Sequence, residues 1–140
     1  MKISYRTKHY QVIEVIGIVA FVLVILVQQF IRPNSQNYAE SIKHLLGVMP
    51  NLFGGMAICI AIFIHGKTTF DKYNLSPEKA MMLSAFLTIL GLIIWEYVQI
   101  IAHRHFYLND VLASILGSFI SSAFIYFNIR YNKKKNRIGY

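Results

Sequence analysis

Four long apolar runs separated by polar segments set the pattern of this chain, and their lengths match membrane-crossing helices. They occupy residues 12–31, 47–65, 80–102 and 110–130. A bilayer core roughly 30 Å thick needs about 20 apolar residues per helical crossing. A chain of 140 residues therefore holds four crossings and little else. The predicted fold class is all-α: a polytopic membrane protein, a four-transmembrane-helix bundle forming one domain over residues 1–140.

Polar punctuation marks the ends of the runs. Gln28, Gln29, Arg32 and Pro33 close the first, since proline lacks a backbone donor and clashes with the preceding turn. Residues 34–44 are polar, with Ile42, Leu45 and Leu46 along one edge, and predict a short interfacial helix. Pro50 and Asn51 interrupt the second run. If Pro50 sits in a first helical turn, residues 50–64 span only about 22 Å, so the pattern predicts a broken helix or one starting below the surface. "SPEK" offers Ser76 as N-cap and Pro77 as first helical residue of the third run. After residue 129 a basic tail is expected.

Composition agrees with lipid as the solvent: 56% of residues are hydrophobic and only 14% charged, with a mean hydropathy of +0.48. A net charge of +8 would suggest nucleic acid in a water-soluble domain, but here the basic residues gather at segment ends and in "RYNKKKNR". There they orient the chain and attract anionic headgroups, so nucleic acid is not an expected partner. Cys59, the single cysteine, excludes an internal disulfide. The first run is too long for a signal-peptide core and lacks a small-residue cleavage site, so it is read as a transmembrane helix.

Charge asymmetry predicts orientation. Eleven of the Lys and Arg residues fall before the first run, between the second and third, and after the fourth; only Arg32, Lys43 and Arg104 fall in the other two loops. Both termini are then cytoplasmic, and Pro50, Asn51 and the loop around Arg104 lie toward the outside.

The ionisable chemistry concentrates in "IIWEYVQIIAHRHFYLND". Glu96 lies six residues before the end of its run, about 9 Å deep. An ionised carboxylate there costs about 2.5–3.5 kcal/mol unless it is paired, protonated or wetted. Gln99 and His103 share its helical stripe, while Arg104 lies off it. On the fourth run Asp110, Ser114, Gly117 and Ser121 recur every three or four residues, and on the second Gly47, Asn51, Gly55 and Cys59 every four. Small residues at this spacing let helices approach closely, and facing stripes would enclose an outward polar pocket. Asp110 is equally suited to cap the fourth helix. His103, His105 and Asp110 match no strong metal signature, and neither metal nor cofactor is implied. Glu14 reaches the headgroups and needs no special role.

"EYVQIIAHRHFYLNDVLASILGSF" resembles the C-terminal signature of VanZ-like membrane proteins, through Glu96, Gln99, Arg104, Asp110 and Gly117. "VMPNLFGG", residues 48–55, is similar to the Pro-Asn segment of small members. The chain departs at Ser114 and Ser121, where the family often has Asn and Gly; Ser114 replaces an Asn donor only in part. The resemblance implies a bacterial cytoplasmic membrane protein of the cell envelope, linked to resistance to the glycopeptide teicoplanin. "HFYLNDVLASILGS" also echoes the final motif of type-2 phosphatidic acid phosphatases, but the chain has no Pro-Ser-Gly-His run, and His105 to Asp110 is one residue longer.

The leading expectation is a protein that binds or acts on an amphiphilic envelope component. In a catalytic version Glu96 is base or acid and Asp110 orients His103 or His105, while Gln99, Arg104, Asn51 and Ser114 bind. Membrane lipids or lipid-linked envelope components, and a second copy of the chain, are the expected partners. The alternatives are a non-enzymatic accessory subunit of an envelope enzyme, a divergent lipid-phosphate phosphatase, and a small transporter, which four helices would build only as a dimer.

Overall fold

The computed structural model describes residues 10–101 and 107–138, and every regular element among them is helical. Helix α1 spans Gln11–Leu26 and widens into a π-helical turn over Val27–Ile31, where Arg32 N–H donates to the Val27 carbonyl at 2.9 Å. Pro33 follows and ends it. A single 3-10 turn, Ser35–Asn37, leads to α2, Glu40–His65. The short α3, Lys67–Lys72, turns the chain into α4, Pro77–Ile101, and α5 covers Leu108–Ile138.

Among the described residues four helices are long and apolar enough to cross a membrane: Gln11–Ile31, Glu40–His65, Pro77–Ile101 and Leu108–Lys134, of 21 to 27 residues. At 1.5 Å per residue the shortest reaches about 32 Å, enough for a hydrocarbon core. Their outer faces carry bare Phe21, Phe86, Trp95 and Phe119, as lipid-facing surfaces do. The all-α, four-span class predicted from the runs is the observed one.

Helices α2 and α5 form the centre of the bundle. Contacts between them keep a nearly constant sequence offset, from His44–Asn109 through Leu52–Gly117 to Cys59–Ser122, so the two run parallel. Helix α1 packs on α2, and α4 packs on both α5 and α2, while α1 and α4 hardly touch each other. The start of α1, the ends of α2 and α5 and the start of α4 meet at one end. A core of Ile13, Ile60, Phe63, Ala80, Ile125 and Ile129 fills it. Lys133 pairs with Glu78 at the same end.

Glycine makes the central contact. A β-carbon on Gly55 would strike the carbonyl oxygen of Ser114, and one on Gly117 that of Leu52. Only glycine lets the backbones come this close. Ser118 and Ser121 are fully buried beside them, their hydroxyls donating to Ser114 and Ser118 carbonyls at 3.0 and 2.9 Å. Each hydroxyl is thus satisfied on its own helix, the condition for burying it in lipid.

Three sequence expectations are corrected. The interfacial helix over residues 34–44 does not form; its C-terminal part is the first turn of α2. The second span is not broken at Pro50, because proline's fixed φ is helical and buried Pro50 interrupts one backbone bond in an otherwise continuous 26-residue helix. The fourth helix does not end near residue 129: α5 continues through the basic tail to Ile138. The cap is as read: Lys79 N–H donates to Ser76 Oγ at 3.3 Å.

The glycine contact yields a paired prediction. Gly117→Ala should lower stability in detergent by about 1–3 kcal/mol, the usual cost of overpacking. Gly47→Ala, where a β-carbon meets nothing within 4 Å, should be neutral or slightly stabilising. Thermal unfolding followed by circular dichroism distinguishes them; equal midpoints would remove Gly117 from the packing.

Candidate functional site

Ala80, Ser84, Thr88 and Glu96 are the buried positions of α4, four or eight residues apart along a ridge that winds slowly round the helix as it packs on α2 and α5. Ser84 Oγ donates to the Ala80 carbonyl and Thr88 Oγ1 to the Ser84 carbonyl, each at 2.8 Å. Glu96 ends the stripe with only 7% of its surface exposed. Gln99, one turn later, donates from Nε2 to Glu96 Oε1 at 3.1 Å.

Helix α5 presents the second carboxylate. Asp110 is the third residue of the helix and its N–H donates to the Tyr107 carbonyl at 3.0 Å, so it lies inside the first turn and does not occupy the N-cap expected for it. A carboxylate in the first turn still favours the helix dipole. Asp110 opens α5 at the end of the bundle where α4 carries Glu96. Two carboxylates brought to one end of a low-dielectric bundle favour a cation, a shared proton or water near them.

Helix α2 closes the third side. Ser114 Oγ donates to the Asn51 carbonyl at 3.4 Å, so Asn51 enters through its backbone. Above this, Asn109 Nδ2 meets His44 Nε2 at 3.4 Å, joining the first turns of α5 and α2. The structure thus brings Glu96, Gln99, Asp110, Ser114 and Asn51 to one end of the bundle. His103, Arg104 and His105 lie outside the described residues, as does any metal reading built on them.

His44 and Asn109 were not singled out from the sequence. Nothing local marks them as partners; their pairing follows only from the parallel register of α2 and α5. The polar stripe below Glu96 was also missed, although Ser84 and Thr88 stand out at fixed spacing in an apolar run.

As chemistry, a carboxylate held by an amide, with a second carboxylate nearby, accepts a proton or a basic group. Comparison with protein-family models, with curated proteins and with solved structures returns no match.

Proposed function

We propose that this chain is a VanZ-like integral membrane protein of a bacterial cell envelope, and that the Glu96 site binds or acts on an amphiphilic envelope component. The supporting observation is the buried Glu96 carboxylate inside a spanning helix, bonded to Gln99. Ionisable groups kept inside a spanning helix are costly and mark functional sites by default. Arg104 follows in sequence between α4 and α5, and its guanidinium suits an anionic headgroup. In a reaction, Glu96 moves the proton and Asp110 orients His103 or His105.

The basic residues cluster at the end of the bundle where α1 starts and α5 finishes. That asymmetry favours cytoplasmic termini and an outward-facing Glu96 site. An accessory-subunit role finds less support, because the Gly55 and Gly117 faces that would recruit a partner helix are spent on each other's helices.

Expression in a glycopeptide-sensitive Gram-positive host tests the function. The wild type should protect against teicoplanin more than vancomycin, and Glu96→Gln should lose that protection at matched membrane levels. Full protection by the variant would remove Glu96 from proton transfer; no protection by the wild type would sink the antibiotic-related reading.

Orientation is tested separately. Cys59 has no exposed surface, so a membrane-impermeant maleimide should leave the wild type unlabelled. Gln36→Cys should label in intact cells and Lys72→Cys only after permeabilisation. The reverse pattern would invert the bundle.

A further inference from the structure

At the end of the bundle opposite Glu96 lies a cavity of about 290 Å³. The starts of α1 and α4 form its sides, the last turn of α2 its back, and α3 its base. Helices α1 and α4 hardly touch while both pack on α2, which leaves a cleft between them over α2 beside the cavity. Its volume sits at the small end of ligand pockets, room for a headgroup and not for a whole lipid.

The polar lining carries both signs of charge. Glu14 and Asp71 bring carboxylates and Lys67 an ammonium. Lys67 Nζ lies 5.1 Å from the centroid of the Tyr10 ring. Tyr10 and Glu14 are four residues apart at the start of α1, on one helix face, which places Glu14 within about one turn of that ammonium. Glu14 is also in the first turn of a membrane-spanning helix and has no ion-pair or hydrogen-bond partner among the described residues. The remaining wall is apolar, with Ile64, Leu75 and Ala80.

This chemistry selects its ligand. An anion alone would meet two carboxylates, and a cation alone would meet Lys67, so the lining suits a group bearing both charges. A quaternary ammonium would need a free aromatic face. Here Tyr10 is already covered by Lys67 and stands edge-on to Phe63 at 5.4 Å, while Phe63 and Phe70 are buried in the core. What remains for the cation is a carboxylate, which prefers a primary ammonium with N–H groups to donate. We infer that this cavity binds the headgroup of an aminophospholipid, ammonium at Glu14 and phosphate at Lys67, with the acyl chains leaving along the α1–α4 cleft. The inference is independent of the reading given to Glu96.

The test is an equilibrium titration of the purified full chain, in maltoside detergent, with dioctanoyl phosphatidylethanolamine, phosphatidylglycerol and phosphatidylcholine. Phosphatidylethanolamine should bind saturably and about tenfold or more tighter than the other two, the difference that one additional charge-assisted hydrogen bond makes. Glu14→Gln and Lys67→Gln should each weaken it by a similar factor, and Gly47→Ala, away from the cavity, should leave it unchanged. Equal affinity of the wild type for the three lipids would overturn the proposal, with no variant needed. So would unaltered phosphatidylethanolamine binding in both cavity variants.

Discussion

The close approach of α2 and α5 through Gly55 and Gly117 is the constraint on which the rest of the bundle depends. In lipid the apolar flanks of a helix gain nothing by leaving their solvent for one another, so packing and satisfied polar groups must hold the helices together. The two glycines let each backbone rest against a carbonyl of the other helix, one turn apart along the pair. With the register fixed, Cys59 faces Ser122 and Ser114 reaches the Asn51 carbonyl. The same offset carries Asn109, the residue before Asp110, to His44. The polar site is the far end of a packing arrangement that begins with two hydrogen atoms in place of side chains.

Much of that fold is legible in the sequence because its causes are local. Apolar runs of 20 residues or so have one stable form in a bilayer, since the backbone must bond to itself. Ser76 and Pro77 announce the start of α4, and Pro33 the end of α1. The small-residue stripes identify the central pair: Gly55, Cys59, Ser114, Gly117 and Ser121 all turn inward. Gly47, from the same four-residue series, meets nothing, because the stripe rotates away from α5 before reaching it. Pro50 misled for a related reason. Its effect depends on whether neighbouring protein shelters the lost bond, and that is decided by tertiary packing, not by the residue.

The site is legible in composition and only partly in geometry. A Glu and a Gln one turn apart in an apolar helix announce their bond, and the structure contains it. What the spacing does not contain is the relation between elements. Asp110 reads as a cap because it precedes an apolar run, yet Leu108 already begins the helix and places it in the first turn. Glu14 reads as a surface residue from its place near a helix end. Its significance arises only when α3 folds beneath it and sets Lys67 against Tyr10. Loops and short helices, which carry little periodic signal, create these juxtapositions.

The two ends of the bundle differ because α1 and α4 flank the central pair without meeting. At the Glu96 end, α4 leans on both α2 and α5, and polar side chains bond within α4 and between α2 and α5. At the opposite end, large apolar side chains fill the centre, and the space left between α1 and α4 becomes a cavity lined at its rim by charge. A four-helix bundle closed by a ring of equal contacts would have neither feature. An unequal bundle, with a tight parallel pair and two loosely placed flanking helices, leaves space between the flanking helices at the end opposite Glu96. For the aminophospholipid proposed above, that space would let a headgroup enter with its chains still in hydrocarbon.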